Sequence, residues 1–172
     1  MIESDNFNAF ATPDNCIFVL SKVFDELITY EQLAALLSHE YAHIKNRHGM
    51  KLIAQNLSWE LLSAVLINNE NEKFISSANK LLSLSNSREF ELEADKVGLS
   101  LLEKNQLNPS GMIEILEITE NIEHDVNQLP FYLNTHPSNE ERVKSIKENL
   151  NTENTQFRWN QRLHEIFNEL TD

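Results

Sequence analysis

The segment from His39 to His43, with the sequence His-Glu-Tyr-Ala-His, constrains this chain more than any other. On an α-helix, His39 and His43 project about 40° apart, and Glu40 lies about 60° from His43 on the same side. Neutral imidazoles are good zinc ligands, and a catalytic zinc site uses three protein ligands plus a water. A glutamate that does not bind the metal can take a proton from that water. The segment therefore predicts a hydrolytic metal site on a helix.

Flanking residues predict where this helix begins, ends and packs. Thr29 followed three residues later by Gln32 is a capping-box pattern, and Gly49 after a short basic stretch is typical of a helix stop. We therefore predict an active-site helix over about residues 30–48. Its apolar side chains fall opposite His39, which predicts one face in the core and one face for chemistry. These apolar residues are Leu33, Ala34, Leu37, Tyr41 and Ile44.

Length and composition predict a single, mostly helical domain over residues 1–172. The chain is long enough for one sizeable core, and only 3 glycines and 4 prolines interrupt its periodic segments. Two β-favouring runs, 7–11 and 16–20, flank turn residues and predict an N-terminal β-hairpin, so we expect an α+β fold that is mostly α. Residues 129–137 are predicted to be a loop. Further helices are predicted over about residues 22–28, 50–67, 71–84, 87–104, 110–125, 139–150 and 157–170.

The charge balance and the apolar runs limit the classes of partner. Lys plus Arg total 14 and Asp plus Glu total 27, so the formal net charge is −13. That charge opposes binding to nucleic acid or to an anionic membrane surface. The longest apolar-leaning stretch, Leu61–Ile67, is far shorter than the ~20 residues that span a bilayer, and residues 1–5 lack signal-peptide features. We expect no transmembrane segment in this chain. The lone Cys16 lies in an apolar run and is expected to be a buried thiol.

A catalytic zinc site needs a third protein ligand, and Glu91 on a predicted downstream helix is the candidate. Asp95 lies one turn later on the same face, so one carboxylate can bind metal while the other supports a ligand. A carboxylate that accepts the outer N–H of a ligand histidine fixes its tautomer and raises its basicity. Asp95 fits that supporting role. Alternatively, Asp95 could form a surface ion pair with Arg88 or Lys96.

Several motifs follow one another in the order typical of one peptidase family. They are Asn8-Ala9-Phe10-Ala11-Thr12-Pro13, the segment His39–His43, Ser87-Arg88 with Glu91 and Glu93-Ala94-Asp95, Gly98, and Thr135-His136-Pro137-Ser138 with Arg142. Over residues 6–146 the chain resembles the HtpX-like and CAAX-prenyl-protease-like gluzincin metallopeptidases, and it looks like their soluble catalytic domain. The glycine pair usual after the first motif is replaced by Asp14-Asn15, residues that also tolerate positive φ.

The resemblance implies a role for each residue of the zinc site. His39, His43 and Glu91 would bind one Zn²⁺ ion, and Glu40 would be the general base. Asp95 would orient a ligand histidine. The implied fold is the gluzincin catalytic domain.

Further residues are implied near the cleft, with alternatives that the sequence leaves open. By the resemblance, His136 and Arg142 lie beside the active site with catalytic roles. A histidine before proline is equally often only a turn element, and Arg142 could instead pair with Glu140 or Glu141. His136 could assist the reaction or block the fourth zinc position. Tyr132 could donate to an oxyanion or belong to the core.

The remaining three histidines lie outside the motifs quoted above. His48, His124 and His164 are expected to be ordinary surface or helix-end residues.

Together these features predict a zinc-dependent metalloendopeptidase that hydrolyses peptide bonds in unfolded or misfolded polypeptides, as in protein quality control. The hairpin would offer a strand edge to extended substrate backbone. One alternative is a latent or non-catalytic zinc-binding module that acts as an adaptor, and another is a metal hydrolase of non-peptide amides. By the resemblance, such domains act in the periplasm or cell envelope if an upstream segment was removed, whereas the chain read as complete would be cytoplasmic.

Overall fold

The computed structural model describes residues 2–56, 87–124, 132, 135–137, 140–150 and 157–171. The elements in chain order are β1 (Ala9–Ala11), β2 (Ile17–Val19), α1 (Lys22–Glu26), α2 (Tyr30–Lys45), α3 (His48–Asn56), α4 (Arg88–Lys104), α5 (Gly111–His124), α6 (Glu140–Asn149) and α7 (Gln161–Thr171). The predicted fold, mostly helical with a small N-terminal hairpin, is confirmed. The helix predicted over residues 71–84 and most of the one over 50–67 lie outside the described residues.

The N-terminal hairpin pairs β1 with β2 in antiparallel register. Phe10 lies opposite Phe18, and their rings stack with centroids 5.4 Å apart. The turn closes where the Thr12 N–H donates to the Cys16 carbonyl at 2.9 Å, and Asn15 adopts a φ of 68°. Asparagine tolerates this left-handed conformation, so the turn forms without the usual glycines. The expectation that Cys16 is buried was wrong: its position at the end of the turn leaves it exposed.

Helix α2 begins as predicted and ends earlier than predicted. The Thr29 side chain accepts from the Gln32 N–H at 3.3 Å, and the Gln32 side chain accepts from the Thr29 N–H at 3.2 Å, which completes the capping box. The helix stops at Lys45 because Arg47, with a φ of 55°, reverses the chain. Gly49 is therefore not a stop; it lies in the first turn of α3.

The prediction that the apolar side chains of α2 form its core face was correct only in part: Leu33 belongs to the core and Ala34 packs against it, but this is not the most buried face of the helix. The buried face is centred on His39 and includes Leu36 and Ala42, which are 1% and 0% exposed. On the opposite side Leu37 is only partly buried and Tyr41 is 45% exposed. Helix α4 and strand β1 lie against α2, and His39, Glu40 and His43 are buried there.

Two glycines face α2 from neighbouring helices, and Gly111 allows a close approach. A Cβ on Gly98 of α4 would lie 3.4 Å from the His39 backbone nitrogen. A Cβ on Gly111, at the start of α5, would lie 2.7 Å from the Glu31 carbonyl oxygen, closer than real side chains come. The approach of α4 at Gly98 brings its carboxylates within reach of the histidines on α2.

The C-terminal segment packs against the N-terminal end of α2. The Tyr30 hydroxyl accepts from the Asn160 N–H at 3.1 Å, and the Tyr30 ring meets the Trp159 ring at 5.3 Å between centroids. Apolar residues from α1, α2, α4, α5, α6 and α7 share one core with Phe7 of the N-terminal segment. None of the helices within the described ranges is long and apolar enough to cross a membrane.

Candidate metal centre and active site

Four buried side chains meet at the centre of the structure. They are His39 and His43 of α2, Glu91 of α4 and His136, and their potential ligand atoms all lie within 4.8 Å of one another. The Nε2 atoms of the two α2 histidines are 3.0 Å apart. Glu91 places Oε2 at 3.3 Å from Nε2 of His39 and Oε1 at 3.4 Å from Nε2 of His43. The carboxylate thus faces both imidazoles at once.

These separations fit a zinc ion. Zinc binds imidazole nitrogen and carboxylate oxygen at about 2.0–2.2 Å in a tetrahedral arrangement, which sets neighbouring ligand atoms about 3.3–3.5 Å apart. The measured separations of 3.0–3.4 Å among His39, His43 and Glu91 are close to that spacing. Two imidazoles and a carboxylate turned toward one another favour a positive charge between them, which a metal ion or a proton on His39 supplies. The donor set is therefore suitable for a metal cation.

His136 occupies the fourth side of this cluster. Its Nδ1 lies 3.3 Å from Nε2 of His39 and 3.2 Å from Oε1 of Glu91. Its Nε2 points to Glu40, at 3.5 Å from Oε1. The ring is stacked on Tyr132, with centroids 4.7 Å apart. His136 is thus between the candidate metal ligands and the candidate base.

Tyr132 and Thr135, which lie in the predicted loop before His136, are helical. The His136 N–H donates to the Tyr132 carbonyl at 2.8 Å, a hydrogen bond with the four-residue spacing of an α-helix. The Thr135 hydroxyl donates to the same carbonyl at 2.9 Å. These hydrogen bonds hold Thr135 and His136 to the Tyr132 carbonyl, and the loop prediction was wrong at Tyr132 and Thr135.

Glu40 is fully buried one residue along α2 from His39. Burial raises the pKa of Glu40 above its usual range, although the nearby histidines His136 and His39 oppose this shift. A raised pKa suits a general base, because the ideal value lies near the working pH. Burial and the charge of Glu40 also hold the pKa of Tyr132 well above its usual value, so this phenol stays protonated.

Asp95 and Arg142 support the cluster from the side of His39. Oδ1 of Asp95 lies 2.9 Å from Nδ1 of His39. Arg142 donates to both Asp95 oxygens at 2.8 Å and places Nη1 at 2.9 Å from Oε2 of Glu91. Its Nη1 also donates to the Pro137 carbonyl at 3.2 Å. Asp95 is therefore buried beside the site and is not part of a surface ion pair.

Burial and charge set the protonation of these groups. Burial alone lowers the pKa of His39, but Glu91 and Asp95 outweigh it and raise that pKa to about 10. Burial lowers the pKa of His43 to about 3. Burial acts to raise the pKa of Glu91 and of Asp95. Neighbouring histidines nevertheless hold the pKa of Glu91 well below its usual range, and Arg142 lowers the pKa of Asp95. The carboxylates are ionised and His43 is neutral, whereas His39 carries a proton that zinc binding would displace.

His48 is a site residue that the sequence analysis missed. It is 0% exposed, and its Nδ1 lies 2.9 Å from Nδ1 of His43. Its Nε2 lies 3.2 Å from Oε2 of Glu93, and its ring is stacked on Phe90 with centroids 4.4 Å apart. The expectation that His48 is an ordinary surface or helix-end residue was wrong. The positive φ of Arg47 changes the direction of the chain, so His48, at the start of α3, lies against His43 of α2. A third histidine close in sequence to the motif was the only available signal.

Comparison with known proteins agrees with this geometry. A model of peptidase family M48 matches residues 1–150. The chain belongs to this family. The sequence-based resemblance to HtpX-like peptidases is thereby confirmed.

Three relatives show how the M48 chain compares in extent. It is 27% identical over 145 residues to the mitochondrial metalloendopeptidase OMA1 of Saccharomyces cerevisiae, which covers 81% of this chain and 42% of that protein. It is 31% identical over 140 residues to OMA1 of Arabidopsis thaliana, covering 81% of this chain and 28% of the relative. It is 27% identical over 186 residues to a protease HtpX homolog of Salinibacter ruber, covering 86% and 66%. The chain spans less than half the length of these OMA1 relatives.

All predicted site residues come together in the structure, and their chemical roles stay predictions. The residues are Glu40, His136 and Arg142 for catalysis, His39, His43 and Glu91 for metal, and Asp95 as support.

Proposed function

We propose that this M48 chain is the catalytic domain of a zinc-dependent metalloendopeptidase. The observation that carries the proposal is the convergence of His39, His43 and Glu91 at zinc-like separations, with the buried carboxylate of Glu40 beside them. Relatives that bear the name metalloendopeptidase support the same activity. No relative reported above supports the alternative of a non-catalytic adaptor by its name.

The residues divide the work of peptide hydrolysis. Zinc held by His39, His43 and Glu91 would polarise the scissile carbonyl and lower the pKa of a water molecule. Glu40 accepts the proton of that water at its carboxylate and delivers it to the leaving amine. Burial serves this step, because it raises the pKa of Glu40 toward the working pH.

Arg142 acts in this proposal as a positioning residue. It contacts Asp95, Glu91 and the Pro137 carbonyl, so it would hold one metal ligand directly and His39 through Asp95. Its contact with Pro137 also ties the segment of His136 to the metal side of the site.

The position of His136 supports a gating role. Its Nδ1 is within 3.3 Å of two candidate ligand atoms, the place where water and substrate must enter. In this proposal, His136 would have to move away from these atoms before water and substrate could reach the metal. Replacing His136 with Ala separates the two roles: a rise in peptidase activity supports gating, whereas a fall supports a catalytic contribution.

The proposed substrate is extended, unfolded polypeptide. Strand β1 lies against α2, with the backbone of Ala11 near Glu40. One edge of β1 pairs with β2, and no other described strand pairs with its second edge. A substrate added along that edge would bind by its backbone with little sequence dependence. This supports action on misfolded proteins.

The test is cleavage of an unfolded protein such as casein by the Glu40→Gln variant. Gln keeps the size of the side chain and loses the base, so we expect activity to fall by about 100-fold or more. Zinc content, measured by elemental analysis, should be unchanged. Glu89→Gln, an exposed change on α4, is the matched control. Undiminished cleavage by Glu40→Gln would refute the assignment.

A further inference from the structure

His48 contacts the outer nitrogen of a candidate zinc ligand. Its Nδ1 lies 2.9 Å from Nδ1 of His43, within hydrogen-bond distance. Its second nitrogen, Nε2, lies 3.2 Å from Oε2 of Glu93. The side chain of Glu93 is 50% exposed, whereas His48 is fully buried. A line of polar contacts therefore runs from the half-exposed carboxylate to the site.

Metal binding would fix every proton along this line. A neutral imidazole that offers Nε2 to a metal carries its proton on Nδ1. The Nδ1 proton of His43 then needs an acceptor, and the facing Nδ1 of His48 can accept only if its own proton is on Nε2. The Glu93 carboxylate accepts that Nε2 proton. The two observed distances thus allow one consistent set of tautomers.

We propose that His48 is a positioning residue for zinc binding, which accepts the outer N–H of His43 and is itself oriented by Glu93. The inference rests on the proposed function, since it takes His43 as a zinc ligand. Outer hydrogen-bond partners of this kind hold the ring orientation and raise the basicity of a ligand histidine.

Packing alone does not account for the arrangement. The ring of His48 is stacked on Phe90 at an interplanar angle of 4°, and this contact explains why the ring is buried. An apolar side chain would fill the same space and leave the Nδ1 proton of His43 without an acceptor. A buried donor without a partner carries a free-energy cost. The stack and the hydrogen bond therefore make separate contributions that variants can separate.

The first experiment reads the tautomers directly. Long-range ¹H–¹⁵N NMR correlations of the zinc-loaded, unmodified chain assign the protonated nitrogen of each of its 6 histidines. We expect His43 to be protonated at Nδ1 and His48 at Nε2. Protonation of His48 at Nδ1, or at both nitrogens, would overturn the proposal. Because no substitution is needed, this test does not depend on the folding of a variant.

The second experiment measures zinc affinity by competition with a chromogenic chelator. His48→Leu keeps the volume and removes the acceptor, so we expect affinity to fall about 10–100-fold. His48→Asn keeps an acceptor oxygen near the place of Nδ1 and should recover most of that loss. Phe90→Leu removes the stack; it should lower the unfolding temperature with little change in zinc affinity. Equal losses in His48→Leu and Phe90→Leu would reduce His48 to a packing residue and overturn the proposal.

The unmodified chain distinguishes the two possible failures. If it binds no zinc, the proposed function fails and the role of His48 fails with it. If it binds zinc and His48→Leu binds zinc equally tightly, the role of His48 alone is refuted.

Discussion

The two histidines of α2 are supported in opposite ways. On the side of His39, Asp95 is 1% exposed and is held by an arginine that is 2% exposed. On the side of His43, a neutral histidine is the direct partner, and the carboxylate behind it is half exposed. His39 is thus supported by a buried network of charged side chains. His43 is supported by a chain of hydrogen-bond contacts that ends at a half-exposed carboxylate.

The two sides therefore differ in whether they act on the zinc site through charge or through the orientation of a ligand ring. Buried, paired charges interact strongly, and removal of one partner leaves the other uncompensated. A half-exposed carboxylate is screened by water and salt, so its charge contributes little. We infer that the His39 side sets the charge of the centre and the stability of the chain around it, whereas the His43 side mainly sets the direction of one ring.

The largest test of the comparison is Arg142→Met. The change removes the arginine that pairs with the buried carboxylates of Asp95 and Glu91, so we expect the free energy of unfolding of the metal-free chain to fall by about 3–5 kcal/mol. Urea denaturation followed by circular dichroism measures it. The matched control is Arg88→Met, because Arg88 is exposed and meets Glu141 only at 3.8 Å. Equal losses in the two variants would remove the distinction between buried and exposed pairs.

The sequence predicted the parts of the site that depend on local spacing. His39, Glu40 and His43 follow from four-residue periodicity, and Glu91 and Asp95 from the same spacing on a second helix. The capping box at Thr29 was likewise readable, since both of its partners lie within one turn. Helix periodicity carries such information because neighbours on one helix face are fixed by the backbone.

The parts of the site that depend on how distant segments pack together could not be predicted from the sequence. Arg142 reaches Asp95 from 47 residues away, so its true partner could not be chosen over its neighbours in sequence. His48 joins the site only because Arg47 reverses the chain. The histidine face of α2 is buried because α4 packs against α2, and no pattern within α2 records that packing.

The second test is Asp95→Asn, which removes the charge behind His39 and keeps an acceptor for its Nδ1 proton. A neutral partner makes the ligand less basic, so we expect zinc affinity to fall by up to about 100-fold. The stabilisation by excess zinc should fall by up to about 2.7 kcal/mol, measured as a smaller rise in unfolding temperature. Unchanged affinity would show that orientation alone matters on both sides.

The smallest test is Glu93→Gln, on the side of His43. The amide oxygen still accepts the Nε2 proton of His48, and the lost charge is half exposed, so zinc affinity should fall by less than about tenfold. Glu89→Gln on the same helix is the control for charge alone. The loss should shrink further in about 1 M salt, where the screening length is about 3 Å. The contradicting result is a loss of zinc affinity as large as that of Asp95→Asn that persists in high salt. The Glu93 carboxylate would then act on the zinc site through the neutral imidazole of His48 as strongly as Asp95 acts directly. The two sides of the site would be equivalent.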